Sequence, residues 1–291
     1  MARLCACIPT WNGARYLPRI LRCLFAQRDV DLRILVGDDA SVDNTVEVAR
    51  VFSDPRLSVH SFSNHAGLAG NWNRMLELAD GDYVAVVGQD DEVTPEWAAR
   101  LVGLLESYPE ADLAFGRRLF AFDAHESQYR STFFTRTYPK ILTGFYSRIG
   151  ELIPPQVMTK EAHRHRFKIN LIGEPTFVVM RRKARALAKG FDTRMKQMVD
   201  WELFTRFFVD QPILHCPEVL GKYHIHCQSA STAFAQGSDQ SWEHEYLLRI
   251  LIQRFARSLG PRQLAQLQHR HTRIKVYSAF RSLKIYRALC R

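Results

Sequence analysis

The feature that most constrains the fold is a regular alternation of short apolar runs with amphipathic segments in the first third of the chain. Apolar runs at 4–8, 32–36, 57–62 and 84–87 have the length and composition of buried strands. Apolar residues recur at helical spacing between and after these runs. Four strand–helix repeats predict an α/β fold, with a Rossmann-like, mainly parallel sheet, right-handed crossovers and flanking helices.

Polar side chains follow each of the four predicted strands at the point where the strand ends. They are Thr10, Trp11 and Asn12, then Asp38 and Asp39, then Asn64, and last Asp90 and Asp91. Open α/β sheets build their ligand crevice outside the carboxyl ends of the strands. The sequence therefore predicts a binding site along this one edge.

Asp90 and Asp91 are adjacent carboxylates, which repel each other unless a cation, a sugar hydroxyl or a backbone donor compensates them. A hard divalent ion that carries a substrate phosphate is a natural partner. The alternative is an acidic turn that caps the following helix, which begins near Thr94-Pro95. The position at the strand edge favours the ion.

The first strand is not followed by a glycine-rich phosphate loop of either common type. This argues against a nicotinamide-dependent enzyme and against a P-loop nucleotidase. Trp11 could instead stack on a base, and Asp39 could accept a hydrogen bond from an imide N–H. The alternative for Trp11 is packing in the core.

The second half is less regular. Further strands are predicted at 112–120, 177–180 and 213–220, whereas residues 122–168 are expected to form loops and short helices that face an acceptor. Asp200 opens a predicted helix, either as a cap or as a general base. If the chain is extended beyond Tyr223, His224 and His226 lie on one face.

The chain of 291 residues is 46% hydrophobic, enough for one large domain with an appendage. No apolar run approaches the roughly 20 residues of a membrane span, and the start is too short for a signal peptide. We therefore expect a cytoplasmic protein. The six cysteines have no framework spacing, so we expect free thiols.

The net charge of +10 is concentrated at the C-terminal end. Eleven Lys and Arg and no Asp or Glu occur from Tyr246 to Arg291, which leaves 29 basic and 30 acidic residues elsewhere. This distribution argues against nucleic-acid binding as the main function. A basic helical segment with aromatic residues suits an anionic membrane surface, and the alternative is a helix packed on the main domain.

Several motifs, in this order along the chain, resemble family 2 glycosyltransferases with the glycosyltransferase A fold. They are Pro9-Thr10-Trp11-Asn12, the Asp-Asp-Ala-Ser-Val-Asp-Asn-Thr run at 38–45, Gly81-Asp82-Tyr83, Gln89-Asp90-Asp91 and Val199-Asp200. The resemblance runs from about residue 4 to residue 231. It implies a catalytic domain at 1–235, with a nucleotide-sugar half at about 1–120 and an acceptor half at about 121–235, followed by a basic helical extension at 236–291.

The resemblance implies an inverting transferase that takes a nucleotide-diphosphate sugar, UDP-linked in our expectation, and an acceptor saccharide that can be lipid-linked. It implies Asp200 as the base, a divalent Mn or Mg on Asp91 and Asp90, and His226 near the diphosphate or metal. Attachment to the inner face of a bacterial inner membrane would suit surface-polysaccharide assembly. The remaining assignments are Glu174 and Trp201 for the acceptor and, for the donor, Pro9, Thr10, Trp11, Asn12, Asp38, Asp39, Asn64, Asn71, Gln89 and Asp90.

The sequence departs from the family pattern at three positions. Gly88 stands where the first metal-motif Asp is common, Val199 where Glu precedes the base, and His224 where Arg is common. Two other classes compete with a glycosyltransferase. A nucleotidyltransferase would need a basic, glycine-rich phosphate loop, which is not visible, and a non-catalytic sugar-nucleotide-binding protein would show no turnover.

Overall fold

A computed structural model of the chain describes residues 2–122, 136–165, 169–226, 229, 241–255, 260–262 and 264–272. The basic segment 273–291 lies outside these described residues. So do the stretch 123–135 of the predicted acceptor loops and residues 230–240 around the predicted boundary at 235. Residues 166–168 lie outside them as well.

The first part of the chain forms the alternating elements that the apolar pattern predicts. They are β1 Arg3–Thr10, α1 Leu17–Phe25, β2 Asp31–Asp38, α2 Thr45–Arg50, β3 Leu57–Ser61, α3 Gly67–Leu78 and β4 Tyr83–Val86. All four residues of β4 are buried, as expected for a strand covered on both faces. After the loop that contains Asp90 and Asp91 comes a two-residue strand, β5 Glu92–Val93, which was not predicted.

The second part contains shorter and less regular elements. They are α4 Trp97–Ser107, β6 Leu113–Phe122, α5 Tyr138–Tyr146, β7 Leu152–Ile153, α6 Pro155–Arg164, β8 Val178–Arg181, α7 Val199–Phe208, β9 Ile213–Ile225 and α8 Ser241–Phe255. The residues expected as a strand at 213–220 and the extended stretch after Tyr223 form one strand. His224 is in β9, and His226 follows directly.

The strands form one sheet in the order β3-β2-β1-β4-β8-β6-β9-β5, with β7 against β9. The pairs among β3, β2, β1 and β4 are parallel, as predicted. The other half is mixed, since β8 is antiparallel to β4 and to β6, whereas β6 and β9 are parallel. The predicted fold class is confirmed, and parallel pairing describes only half of the sheet.

Two hydrophobic cores cover the two faces of the sheet, and the alternation of β1 shows why. Cys5 and Cys7 point to the core that contains α3 and α7, whereas Leu4, Ala6 and Ile8 point to the core under α1 and α4. The free thiol expected for Cys5 and Cys7 is confirmed, as it is for Cys23 and Cys216.

Helix α8 belongs to the first of these cores. Leu247, Leu248, Leu251 and Phe255 are buried together with residues of α7. This matches the packed-helix alternative for residues 241–255, and the boundary at 235 stays a prediction. Among the described helices, none has both the length and the apolar character that crossing a membrane demands.

Candidate active site

Gln89 ties the loop after β1 to the loop after β4. Its Oε1 atom accepts hydrogen bonds from the Thr10 hydroxyl and from the Trp11 N–H, the latter at 3.1 Å, and its amide donates to the Trp11 carbonyl at 3.4 Å. Gly13 is needed beside this contact, because a Cβ there would overlap both Gln89 and Thr10. In this arrangement Thr10 and Gln89 fix the backbone of Trp11.

Trp11 presents its ring at the surface of the crevice. The residue is 50% exposed, and its ring lies 4.8 Å from the His65 ring, centroid to centroid, at a tilt of 39°. Packing of Trp11 in the core, the alternative drawn from the sequence, is therefore wrong. A half-exposed aromatic ring can stack on a nucleotide base.

The loop after β2 is built from the predicted acidic run and fastened to the loop after β1. Asp38 is buried and accepts hydrogen bonds from the N–H and the hydroxyl of Ser41. The Asn12 N–H donates to Ser41 Oγ at 2.8 Å, and Val42 N–H donates to Asn12 Oδ1 at 3.0 Å. Ala40 has φ of 58°, a strained value for a side-chain-bearing residue, as found near functional sites.

Asp39 has four partners for its two oxygens. Oδ1 accepts from the Ala66 N–H (2.8 Å) and Arg74 (3.0 Å), and Oδ2 accepts from the Gly67 N–H (2.9 Å). His65 Nδ1 lies 2.9 Å from Oδ2. Because a carboxylate has about four acceptor positions, a base imide could bond Asp39 only in place of one partner. His65, which is half exposed, is the partner nearest to solvent.

The two asparagines assigned to the donor site occupy different environments. Asn64 lies at the crevice rim and accepts hydrogen bonds from both terminal nitrogens of Arg74. One goes to its backbone carbonyl (2.9 Å) and one to its Oδ1 (3.0 Å). Asn71 is buried and donates to the Gly37 carbonyl at 3.0 Å. This carbonyl lies opposite Pro9 in the β1–β2 register. Asn71 thus holds strand ends, and its contact with the donor stays a prediction.

The side chains of Asp90 and His226 are in contact, as expected for two residues assigned to the same predicted metal site. Asp90 Oδ2 lies 2.8 Å from His226 Nε2. The other ring nitrogen of His226 lies 3.2 Å from Tyr16 Oη, and the two rings stack at 4.3 Å. Arg19 donates to the Asp90 carbonyl. Both ring nitrogens of His226 therefore have protein partners in this conformation.

Asp91 is buried beside Asp90 and is poorly compensated. It accepts hydrogen bonds from the Thr176 hydroxyl and, at 3.2 Å, from the His224 N–H. Burial, and then the Asp90 carboxylate, raise the pKa of Asp91 well above its ordinary value. A Cβ on Gly88 would lie 2.7 Å from Asp91 Oδ2 and 3.1 Å from Asp90 Oδ1, so both carboxylates border one point.

These residues fit a hard divalent cation held by few protein ligands. The described part of the chain contains no group of three or more His, Cys, Asp or Glu side chains arranged to hold a metal ion. Carboxylate oxygens are nevertheless the ligands that Mg²⁺ and Mn²⁺ prefer, and Mg²⁺ commonly uses one or two of them plus substrate phosphates. A cation at the point beside Gly88 would relieve the repulsion that raises the pKa of Asp91.

Asp200 lies in the first turn of α7 and is only partly buried. Its Oδ1 accepts from the Trp201 N–H at 2.7 Å, and its Oδ2 accepts from the Asn170 amide at 3.0 Å. Burial raises the pKa of Asp200 to about 7, the negative charge of Glu174 adds to this rise, and the two hydrogen bonds oppose it. A carboxyl group with a pKa near 7 can serve as a base at neutral pH.

Glu174 acts electrostatically on both Asp91 and Asp200 and is paired with a buried arginine. Arg118 Nε is 2.6 Å from Glu174 Oε2, and Arg118 also donates to the hydroxyls of Tyr138 (2.9 Å) and Tyr146 (3.1 Å). Although burial alone would lower the pKa of Arg118, the Glu174 carboxylate raises it. The charge of Glu174 raises the pKa of both Asp91 and Asp200.

Trp201 requires a correction. The residue is 3% exposed and packs in the core against Phe208, with ring centroids 5.7 Å apart. The helical period turns its side chain away from the partly exposed Asp200, because neighbouring helical residues point in different directions. Direct acceptor contact by Trp201 is therefore wrong for this structure, whereas acceptor contact by Glu174 stays a prediction.

Several residues at the site were not found from the sequence. Thr176 follows Glu174 and Pro175 and had no assigned role, and Arg118 lies inside the strand predicted at 112–120. For these two the signal is a polar residue inside an apolar strand or just after a proline, which is weak without the fold. The residues missed are His65, Arg74, Arg118, Tyr138, Asn170 and Thr176.

Comparison with known families gives a match that covers most of the chain. The model of glycosyl transferase family 2 matches residues 5–190. An uncharacterised protein of Mycobacterium tuberculosis is 29% identical over 214 residues, which are 74% of this chain and 64% of that protein. A protein of Escherichia coli, provisionally named the colanic acid biosynthesis glycosyl transferase WcaA, is 25% identical over 206 residues.

That second alignment covers 70% of this chain and 65% of the relative, so the matches span just under two thirds of the relatives' lengths. Among solved structures, TarS 1–349 of S. aureus in complex with UDP-GlcNAc has a TM-score of 0.67 at 14% identity, covering 91% of this chain and 70% of TarS 1–349. The structural similarity shows a shared glycosyltransferase A fold. At 14% identity it assigns no role to any residue of this chain.

The mannosyltransferase PcManGT of Pyrobaculum calidifontis, in complex with GDP-Man and Mn²⁺, has a TM-score of 0.59 at 16% identity. The match covers 94% of this chain and 70% of PcManGT. It too shows the fold. The family match ends at residue 190, before Asp200, so the assignment of Asp200 rests on the geometry of this chain.

Proposed function

The chain belongs to glycosyl transferase family 2, and on this premise we propose that it transfers a sugar from a nucleotide-diphosphate sugar to a saccharide hydroxyl with inversion. The observation that carries the proposal is the place of Glu174 in the segment 170–176, whose Asn170 donates to Asp200 and whose Thr176 donates to Asp91. The charge of Glu174 acts both on Asp91, at the predicted diphosphate end of the crevice, and on Asp200, the predicted base. Donor and acceptor chemistry would therefore meet at one place.

Asp200 has the properties that the base needs. The residue is partly exposed, and each carboxylate oxygen is held by one donor, which leaves acceptor capacity on both. In the proposed step the acceptor hydroxyl gives its proton to Asp200 while its oxygen forms a bond to the anomeric carbon. The bond from that carbon to the diphosphate oxygen breaks with the electrons going to the diphosphate, and attack from the opposite face inverts the centre.

The donor would lie along the edge formed by the ends of β1, β2, β3 and β4. Trp11 would stack on the base, and the loops after β1 and β2, fastened to each other through Asn12, would hold the ribose. The TarS and PcManGT structures are complexes with UDP-GlcNAc and GDP-Man, so UDP and GDP are the nucleotides to test first.

Asp91 and Asp90 are the residues that would hold a divalent metal. When bound there, the ion would stabilise the negative charge that grows on the departing diphosphate. The Mn²⁺ in the PcManGT complex supports a metal for this chain at the level of the fold. Gly88 leaves the protein with fewer carboxylates than the usual motif, so the donor diphosphate would complete the coordination.

We also propose that the basic segment 273–291 attaches the protein to an anionic membrane surface that carries a lipid-linked acceptor. Leu267 is buried in the core, so a truncation that separates attachment from folding should come after Thr272. We expect the truncated protein to lose binding to vesicles that contain anionic phospholipid, measured by sedimentation. Equal sedimentation of both proteins would refute attachment.

A thermal-shift screen tests the donor proposal. UDP, GDP, ADP and CDP are each added with Mn²⁺ and with a chelator, and one nucleotide is expected to raise Tm in a Mn²⁺-dependent way. The corresponding sugar nucleotides are then tested for release of the diphosphate. If none of the nucleoside diphosphates shifts Tm under either condition, the proposed donor class is wrong.

A further inference from the structure

The carboxylate of Asp200 is held from two sides by donors of different origin. The Trp201 N–H belongs to the first turn of the same helix and bonds Oδ1. The Asn170 amide comes from the loop before β8, thirty residues earlier, and bonds Oδ2. Asn170 is thus the side-chain donor that joins Asp200 to the other half of the pocket.

The orientation of the Asn170 amide is set by its surroundings. Its Oδ1 atom accepts the backbone N–H groups of Ile172 (3.1 Å) and Gly173 (3.0 Å), and its nitrogen also donates to the Gly173 carbonyl at 2.9 Å. A flipped amide would place a donor against two N–H groups and an acceptor against a carbonyl and a carboxylate. The nitrogen must therefore face Asp200.

The loop that carries Asn170 is itself held by buried groups. Tyr138 donates its hydroxyl hydrogen to the Asn170 carbonyl at 2.6 Å, and Arg118 donates to the Ile172 carbonyl at 3.2 Å. Gly173 has φ of 104°, and a Cβ there would overlap the Arg118 guanidinium. The position of the amide nitrogen is thus determined by β6 and α5, not by the loop alone.

The charges around Asp200 make the amide important. Glu174 raises the pKa of Asp200, and Arg118 is already occupied by Glu174 and by the two tyrosine hydroxyls. Tyr138 also faces this group, and burial, the largest influence, raises its own pKa, so it stays neutral. The Trp201 N–H, the side-chain amide of Asn170 and the backbone N–H of Asp200 itself oppose burial of the Asp200 charge, and Asn170 is the side-chain donor among them.

We propose that Asn170 is a positioning residue, which fixes the Asp200 carboxylate in one orientation and stabilises its ionised form. This inference rests on the proposed function for its catalytic meaning. Its physical content, a hydrogen bond that favours the carboxylate, belongs to the protein alone and can be tested without a substrate.

The test is a titration of the Asp200 side-chain carboxyl by NMR on protein labelled with ¹³C at the aspartate carboxyl. Comparison with D200N identifies the signal. We expect Asp200 to titrate near pH 7 in the wild type, and at a pH higher by about one unit in N170A, because a hydrogen bond to the charged form is lost. UDP affinity, measured by calorimetry, should stay within about twofold.

Asn73 provides a matched control. It too makes a double contact with backbone, since its Nδ2 donates to the Phe191 carbonyl at 2.9 Å and its Oδ1 accepts the Phe191 N–H at 2.7 Å. N73A should leave the Asp200 titration unchanged. If N170A also leaves it unchanged, Asn170 only builds its loop and the inference is overturned.

If N170A fails to fold, N170D replaces it, since an aspartate retains the oxygen that accepts the Ile172 and Gly173 N–H groups. An Asp200 titration in N170D at the wild-type pH would overturn the inference in the same way. Sugar transfer by D200N separates a failure of the proposed function from a failure of the hydrogen-bond inference, and transfer is expected to be lost in this variant. If D200N transfers normally while N170A shifts the titration, the proposed function fails and the hydrogen-bond inference stands.

Discussion

The donor edge and the base pocket lie in one sheet but are built differently. The donor edge joins the ends of neighbouring parallel strands, and its contacts are between loops that follow β1, β2, β3 and β4. The base pocket joins groups from β6, α5, the loop before β8 and α7, with a buried ion pair at its centre. Sequence alternation reveals the first construction and hides the second.

Electrostatics separate the binding loop of the donor edge from the two raised-pKa carboxyls, Asp91 in the donor edge and Asp200 in the base pocket. At the donor edge Asp39 is saturated by four donors, as a preformed binding loop requires. Asp91 and Asp200 are instead under-compensated, with pKa values raised by burial first. Raised carboxyl pKa values in a crevice are typical of sites that await a cation or a proton. If the two regions are structurally independent, a substitution in one should leave the properties of the other unchanged.

The largest effect in the donor region is expected for D91N. Metal-dependent binding of UDP should disappear, because the buried carboxylate is the proposed ligand, whereas the Asp200 titration should stay unchanged. Calorimetry with and without Mn²⁺ measures the first effect. Unchanged Mn²⁺-dependent affinity would remove Asp91 from the metal site.

D91N should also make the metal-free protein more stable at neutral pH. A carboxyl with a raised folded-state pKa costs stability once the pH exceeds its ordinary value of 3.8, and the cost stops growing above the raised value. Asn removes the charge and can still bond Thr176. At pH 7 the Tm of D91N should be higher than that of the wild type. At pH 4 the difference in Tm between the two proteins should be smaller.

W11A should have the next largest effect, on nucleotide binding. Base–aromatic stacking contributes about 1–3 kcal/mol, so UDP affinity should fall by roughly 5- to 150-fold, for free nucleotide and sugar nucleotide alike. Val42, which is 90% exposed on the adjoining loop, supplies the control. V42A is expected to bind as wild type, and equal losses in both variants would point to loop distortion instead of stacking.

The smallest effect on nucleotide binding is expected for E243Q, on the base side. Glu243 of α8 is buried and accepts the N–H groups of Lys196 (3.0 Å), Gln197 (2.9 Å) and Met198 (3.2 Å), directly before α7. Loss of charge-assisted bonds should cost about 1–3 kcal/mol and lower Tm by several degrees.

UDP affinity should not change in E243Q, since the donor edge lies elsewhere. E245Q is the matched control, because Glu245 is more exposed and lies 3.8 Å from His271. If E245Q lowers Tm as much as E243Q does, the bonds of Glu243 to the N–H groups before α7 have no special role in stability.

The difference between the regions explains how much the sequence could predict. The ends of β1, β2 and β4 could be placed because apolar runs give strand bounds and parallel strands bring their ends to one edge. The pairing of Asp200 with Asn170 could not, since it depends on where the loop before β8 meets α7. Only the family resemblance brought Asp90 and His226 to one site. Strand direction in the second half was also hidden, because the chain between β6 and β8 contains α5, β7 and α6 in place of a single crossover helix.

Trp201 shows a second limit, set by side-chain direction. It follows Asp200 directly in the sequence, yet it is buried among aromatic residues. Neighbours in a helix point in different directions, so proximity in sequence did not imply proximity to the crevice. Trp11 is the reverse case, an aromatic residue held at the surface by Gln89.

The most direct measurement is the pH dependence of sugar transfer in wild type and D200N, with UDP affinity measured alongside. In the wild type the rate should fall about tenfold per pH unit below about 7, where Asp200 becomes protonated, and level off above it. D200N should lose this dependence and about 10²–10⁴-fold of the rate while binding UDP normally. A D200N enzyme that transfers at nearly the wild-type rate, or that keeps the same fall below pH 7, would contradict the assignment of Asp200 as the base.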